Sequence, residues 1–305
     1  MRKRTLAAVA LAWNAAALAA PAPSPPAVAP SPAAALPDGA VAALSQAAAV
    51  PSPASQTRLI DVGGRRVAFH VVPGRLPAVV FEAGGGMDGS AWDPVLGTIA
   101  RDTGAELVTF DRAGFGDSDE DTRPVQIQHE ADDLKAGLAA LGIDHGIVLV
   151  AHSFGGEVAF PLASQNPGLV ARAVLVDGTV PSFCTDEEMA RMASTFPKDV
   201  EQDDKQGRTW AAFFAAWPAM QHGFHEMRWP DSVPATVIVS EHPPFMTPAE
   251  NAAWTQDHVD FAHAAANRSV EIAEGSGHIV MNDRPDLVSQ AVVAAVEQVR
   301  QAAQR

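Results

Sequence analysis

One serine lies where a serine can act as a nucleophile. Ser153 lies three residues after the end of the apolar run 147–150, and Gly155 and Gly156 come shortly after it. A strand that turns sharply into a helix at a serine lifts the hydroxyl clear of the sheet, an arrangement known as a nucleophile elbow. Ala151 occupies the position where glycine is commonest, and it is still small enough for such a turn. The pattern predicts attack of Ser153 on a carbonyl carbon and an acyl-serine intermediate.

His278 is the candidate general base for this serine. It ends the run Gly275-Ser276-Gly277-His278, after the β-prone stretch 269–273 and before a predicted last helix. A neutral imidazole in that position can take the serine proton and later deliver it to the leaving group. The other histidines form weak metal patterns at most, so we expect no metal site.

The elements that must position these residues alternate between strand and helix. After a hairpin over 59–72, strands are predicted at 78–82, 106–110, 146–150, 173–176 and 236–240. Helices are predicted at 127–141, 155–164 and 287–303. The strands are apolar throughout, as expected where helices cover both faces of a parallel sheet. We predict an α/β fold with a doubly wound, mostly parallel sheet, whose chemistry lies at the carboxyl ends of its strands.

From about residue 58 onwards the chain resembles the α/β-hydrolase superfamily. Besides the serine elbow and the Gly-Ser-Gly-His run, two loops carry the resemblance. EAGGG at 82–86 occupies the position of the family's His-Gly-x oxyanion loop, with Ala83 where histidine is commonest. DRAGFGDS at 111–118 is close to the family's Asp-Arg-x-Gly-x-Gly-x-Ser loop. These motifs occur in the family's order, which indicates a serine hydrolase of the esterase or lipase type.

The resemblance also implies how the site is completed. Backbone N–H groups of Gly85 and Phe154 are expected to form the oxyanion hole, and no organic cofactor is implied. A helical cap is expected at about residues 181–233, between two strands of the sheet. Within it Trp210, Phe214 and Trp217 share one helix face, together with Phe213. These aromatic residues are expected to pack the cap onto the core and in part to line an apolar substrate pocket.

Two residues compete for the role of the acid that orients His278. Many relatives place an aspartate after the strand predicted at 236–240, where this chain has Glu241. A minority place the acid one strand earlier, where Asp177 follows the run 173–176. Both choices keep the chain order serine, acid, histidine. We favour Asp177 and keep Glu241 as the alternative, with Asp257 and Asp260 as more distant candidates.

The N-terminal residues read as targeting sequence. Residues 1–19 combine a basic start, an apolar run and the small-x-small pattern Ala17-Leu18-Ala19, which predicts a signal peptide. Residues 20–57 are rich in alanine and proline and predict a linker, so the hydrolase domain is expected over 58–305. The apolar run is too short for a stable membrane span. We therefore expect a protein that is exported to the periplasm or secreted.

Charge and composition narrow the possible partners. The chain has 36 acidic and 21 basic residues, and such an acidic surface makes nucleic acid an unfavourable partner. The expected partner is a small ester-like molecule, and the predicted reaction is hydrolysis of small carboxylic esters or lactones. The same machinery also serves amidases, peptidases, acyltransferases and C–C hydrolases, and a related fold can bind a ligand without turnover. These remain the alternative functions.

Overall fold

The structure is a computed structural model that describes residues 52–245 and 247–305. The predicted signal peptide, 1–19, and most of the predicted linker, 20–57, lie outside the described residues. The first strand starts at Gln56, just before the predicted start of the domain at Arg58. Among the described helices, none is long and apolar enough to cross a membrane.

Eight strands form a single sheet. They are β1 (Gln56–Asp61), β2 (Arg66–Val72), β3 (Arg75–Glu82), β4 (Ala105–Asp111), β5 (Ile147–His152), β6 (Val170–Val176), β7 (Ala235–His242) and β8 (Arg268–Gly277). Their order across the sheet is β1-β2-β4-β3-β5-β6-β7-β8. β1 and β2 pair antiparallel, as do β2 and β4, and all other neighbours are parallel. The predicted mostly parallel α/β sheet is therefore confirmed.

The described helices connect these strands and cover the sheet. They are α1 (Asp93–Thr103), α2 (Ile127–Ala140), α3 (Phe154–Gln165), α4 (Asp186–Ala193), α5 (Lys205–His225), α6 (Pro248–His263), α7 (Val280–Asp283) and α8 (Pro285–Ala302). α4 and α5 lie between β6 and β7, in the segment that the sequence predicts as a cap. α6 has a capping box in which Thr247 and Glu250 satisfy each other's backbone N–H groups, so this helix has a well-defined start.

Alternate residues of the central strands pack on opposite faces of the sheet. Leu149 of β5 packs in the same apolar cluster as Val158 of α3, whereas its neighbour Val148 packs with Val292 of α8. Adjacent side chains of a strand point to opposite faces, so a strand covered on both sides must be apolar at every position. Complete burial of each such side chain stabilises the fold by about 1.5–3 kcal/mol. The sheet is thus a rigid base for the loops at its carboxyl edge.

Candidate active site

Ser153 lies at a tight turn between β5 and α3. Its φ is +52°, a value that a non-glycine residue adopts only where the surrounding structure enforces it. Glycine is required just after it, because a Cβ on Gly155 would lie 2.6 Å from the Glu82 carbonyl oxygen. A Cβ on Gly156 would lie 2.7 Å from the Thr179 backbone nitrogen. The close passage of these backbone segments explains the small residues around the serine.

Three predicted side chains meet at the carboxyl edge of the sheet. Ser153 follows β5, Asp177 follows β6 and His278 follows β8. Ser153 Oγ is 3.0 Å from His278 Nε2, and His278 Nδ1 is 2.7 Å from Asp177 Oδ2. A carboxylate at Nδ1 fixes the ring proton there, which leaves Nε2 free to accept the serine proton. The arrangement can therefore raise the nucleophilicity of Ser153.

The Asp177 carboxylate is fully buried and saturated with hydrogen bonds. Oδ1 accepts from the Ser240 backbone N–H and from Trp254 Nε1, both at 2.9 Å. Oδ2 accepts from Ser240 Oγ at 2.8 Å in addition to His278. Burial opposes ionisation, but the hydrogen bond from His278, the charge interactions with His278 and His258, and the hydrogen bond from Trp254 outweigh it and lower the pKa of Asp177 to about 2. The carboxylate thus stays charged at neutral pH.

The alternative acid, Glu241, lies elsewhere. Its Oε2 accepts a hydrogen bond from the Gly275 N–H at 2.6 Å, and its side chain is about half exposed. Glu241 therefore stabilises the loop that precedes His278, whereas Asp177 contacts the imidazole directly. Asp257 and Asp260 lie on α6, the helix that supplies Trp254 to the Asp177 carboxylate.

The two amides expected at the oxyanion hole belong to neighbouring residues. Phe154 is the first residue of α3, so its N–H has no acceptor within the helix and lies at the positive end of the helix dipole. Gly85 lies in the loop after β3, and a Cβ added to it would be 3.7 Å from Phe154 Cβ. Gly85, Ser153 and Phe154 all line the same cavity. This is the position in which the amides can meet a carbonyl oxygen held at Ser153.

A buried arginine anchors the loop that carries Gly85. Arg112 Nη1 donates to Glu82 Oε1 and to the Ala83 carbonyl, both at 2.6 Å, and Nη2 donates to the Gly84 carbonyl. Arg112 and Glu82 are both buried, so the ion pair is shielded from solvent. The arginine thus holds two successive loop carbonyls.

His152 packs against His278 and hydrogen-bonds to its backbone. Its Nε2 donates to the His278 carbonyl at 2.9 Å, and its ring centroid is 4.7 Å from that of His278. Burial, reinforced by repulsion from His278, lowers the pKa of His152 to about 3. His152 is therefore neutral at ordinary pH and holds the His278 backbone in place.

A cavity of about 250 Å³ opens beside Ser153 and His278. Trp210, Phe214 and Trp217 line it, as predicted for the aromatic face of the cap, and the rest of its wall is mainly apolar. Such a cavity suits a small, mostly apolar molecule. Among the described residues, no group of three or more His, Cys, Asp or Glu side chains is arranged to hold a metal ion.

Sequence reasoning missed the groups that hold Asp177 in place. Ser240 lies within β7 and Trp254 lies on α6, a helix that was not predicted. The sequence signal for α6 was its capping box, Thr247-Pro248-Ala249-Glu250. Nothing in the local sequence indicates that Trp254 reaches a carboxylate that lies so far away in the chain.

Known proteins share this architecture. A family model described as alpha/beta hydrolase fold matches residues 77–229, half of the chain. A bifunctional esterase/perhydrolase of Acinetobacter calcoaceticus is 32% identical over 132 residues, which are 43% of this chain and 46% of that protein. A non-heme chloroperoxidase of Streptomyces lividans is 36% identical over 104 residues, 34% of this chain and 37% of that protein.

The likeness to solved structures extends further along the chain. The enol-lactonase of Burkholderia xenovorans superimposes with a TM-score of 0.57 at 21% identity, covering 78% of this chain and 98% of that structure. At this identity the superposition shows a shared fold. The chain spans less than half of the length of the curated relatives named above.

Proposed function

The chain belongs to the α/β-hydrolase family, and we propose that it is a serine hydrolase of small carboxylic esters or lactones. The observation that carries the proposal is the hydrogen-bonded series Ser153, His278 and Asp177 beside an apolar cavity. An ionised, buried carboxylate, an imidazole and a serine in this order are the groups that acyl transfer to serine requires.

The proposed reaction has two halves. Ser153 Oγ attacks the substrate carbonyl carbon while His278 Nε2 takes the hydroxyl proton. Asp177 stabilises the imidazolium that forms, and the amides of Gly85 and Phe154 stabilise the negative oxygen. His278 then gives its proton to the departing alkoxide, which leaves as an alcohol. Water, deprotonated by His278, attacks the acyl-serine, and the carboxylic acid leaves as the proton returns to Ser153.

The cavity supports a small, mostly apolar substrate. Its volume of about 250 Å³ and its aromatic wall favour an uncharged acyl or alcohol portion over a polymer or a highly charged molecule. The names of two similar proteins, an esterase/perhydrolase and an enol-lactonase, fit the ester and lactone class. This favours ester cleavage over the amidase, acyltransferase and C–C hydrolase alternatives, which use the same groups. The ionised Asp177 and its hydrogen bond with His278 favour turnover over simple ligand binding.

A substrate panel tests the proposal. The full-length chain is assayed on p-nitrophenyl esters of increasing acyl length, on a simple lactone and on the matching p-nitroanilides. We expect turnover of short esters and lactones, with the anilides far slower, and a loss of at least about a thousandfold in kcat for Ser153→Ala. Ser194→Ala, which removes a solvent-exposed hydroxyl, is the matched control and should retain the full rate. Wild-type esterase activity in Ser153→Ala would refute the proposal.

A further inference from the structure

The wall of the apolar cavity contains a polar trio that the proposed reaction does not use. Glu157 lies on α3, one helical turn after Ser153, and Trp217 and Gln221 lie one turn apart on α5. All three line the cavity and are buried, with exposures of 0%, 5% and 0%. Gln221 Nε2 donates to Glu157 Oε2 at 2.7 Å. The trio therefore joins the nucleophile helix to the cap.

Each member of the trio retains an unused polar atom. Gln221 Oε1 and Trp217 Nε1 are buried and have no hydrogen-bond partner among the described residues. Glu157 Oε1 is likewise without a partner there, although Thr179 also hydrogen-bonds to the Glu157 carboxyl. Buried polar atoms in folded proteins are nearly always hydrogen-bonded, because leaving one without a partner is costly. Three such atoms on residues that line one cavity indicate that a polar group of a ligand completes their hydrogen bonding.

The charge of the trio defines which polar group fits. Burial raises the pKa of Glu157 to about 8, although Gln221 and Thr179 favour the ionised form. The trio is thus mainly uncharged at neutral pH. It offers an indole N–H that can only donate and an amide oxygen that can only accept. A hydroxyl satisfies both at once, because it accepts a hydrogen bond from the indole and donates one to the amide oxygen, and its second lone pair can accept from the protonated Glu157 carboxyl. A carboxylate would face the oxygens of Gln221 and Glu157, and an alkyl group would leave all three atoms unpaired.

We propose that Glu157, Trp217 and Gln221 form a subsite that binds an uncharged hydroxyl group of the substrate. Four residues along a helix separate Glu157 from Ser153 by about 6 Å, so the hydroxyl lies a few carbons from the reacting carbonyl. The preferred substrates are then hydroxy-substituted esters, or lactones with a hydroxyl side group. The role of the subsite in specificity rests on the proposed hydrolase function, whereas its affinity for a hydroxyl does not.

Binding without turnover tests the subsite directly. Full-length Ser153→Ala protein is titrated with ethyl hexanoate and with its ω-hydroxy and ω-amino analogues, and the dissociation constants are measured by ligand-observed NMR. We expect the hydroxy ester to bind about tenfold more tightly than the plain ester. Adding Trp217→Phe, which removes the indole N–H and keeps an aromatic ring, should reduce this preference to within about twofold.

Two further variants control for damage to the cavity. Trp210→Phe removes an indole N–H from the cavity wall outside the trio, so any change in affinity should be equal for both esters and the preference for the hydroxy ester should persist. The double variant Glu157→Leu/Gln221→Leu replaces both members of the buried pair, so that neither is left unpaired, and should favour the plain ester. Near-ultraviolet circular dichroism establishes that each variant is folded.

Three results would overturn the subsite. Equal binding of the plain and hydroxy esters would mean that the Glu157 carboxyl and the Gln221 amide satisfy each other. Tighter binding of the amino ester would identify a cation site, and a preference that survives Trp217→Phe would locate the hydroxyl elsewhere. Turnover by the wild-type chain is measured separately. Hydroxyl preference in binding with no ester turnover would therefore refute the hydrolase proposal and leave the subsite supported.

Discussion

Asp177→Asn changes the charge of the buried acid while keeping its shape. Oδ1 of Asp177 faces two N–H donors, from Ser240 and Trp254, so the new amide NH₂ must replace Oδ2. There it lies 2.7 Å from His278 Nδ1, which must now accept a hydrogen bond. The ring proton therefore moves to Nε2, where it faces Ser153 Oγ. An imidazole in this tautomer cannot accept the serine proton.

The size of the expected decrease in kcat follows from this change of the His278 tautomer. The corresponding substitution in a serine protease of unrelated fold lowers kcat by about 10⁴. That factor equals roughly 5 kcal/mol of transition-state stabilisation. We expect a similar loss here, because Asp177 is fully buried and water cannot replace its charge. KM should change by less than about threefold, since Asp177 is not among the residues that line the cavity.

The assay compares kcat and KM of the wild type and Asp177→Asn on p-nitrophenyl butanoate. Glu241→Gln is the matched control, because it neutralises the nearby acid that contacts Gly275, and it should stay within about threefold of the wild-type kcat. Thermal melts show whether each variant is folded. If folded Asp177→Asn retains a tenth of the activity or more, or if Glu241→Gln loses as much as Asp177→Asn, the assignment of the acid is wrong.

Three other predictions concern the surroundings of the site. The pKa of Glu157 rises from 4.5 to about 8 on folding, so this carboxyl stabilises the fold fully below about pH 4.5 and loses that contribution as the pH rises through about 8. In urea denaturation, the free energy of unfolding of the wild type should fall relative to that of Glu157→Gln between about pH 4.5 and 8. The same pH dependence for both proteins would show that the pKa of Glu157 is not raised on folding. Arg112→Lys should lower kcat about tenfold, because an ammonium group cannot hold both loop carbonyls as the guanidinium does. A kcat equal to that of the wild type would show that the loop does not depend on this arginine. Gly155→Ala should cost about 1–3 kcal/mol in thermal unfolding, because its Cβ would lie 2.6 Å from Glu82 O, whereas Gly223→Ala has open space and should be neutral or stabilising.

The serine elbow and the sheet could be predicted because their signals are local. A continuous apolar run predicts a strand buried on both faces, and a serine followed by glycines predicts the turn into α3. The aromatic face of the cap helix could also be predicted from the sequence, because Trp210, Phe214 and Trp217 recur at helical spacing. Each of these inferences depends on neighbours within a few residues in the chain.

The acid and the polar trio depend on contacts between distant segments. Asp177 directly follows β6 and Glu241 lies near the end of β7, and the choice between them depends on which side chain reaches the imidazole across the sheet. Trp254, which lies on a helix later in the chain, donates a hydrogen bond to Asp177. The contact between Glu157 and Gln221 depends on how the cap lies over α3. No spacing or composition within the sequence specifies these orientations.

Covalent labelling of Ser153 is the most direct test of an activated nucleophile. The full-length protein is treated with an alkyl fluorophosphonate, and intact mass and peptide mapping identify the modified residue. We expect stoichiometric labelling at Ser153. The reaction should be abolished in His278→Ala and retained in the control His222→Ala, whose exposed side chain hydrogen-bonds to Asp186. A folded protein that is not labelled, or that is labelled equally well in His278→Ala, would contradict the proposal that His278 activates Ser153.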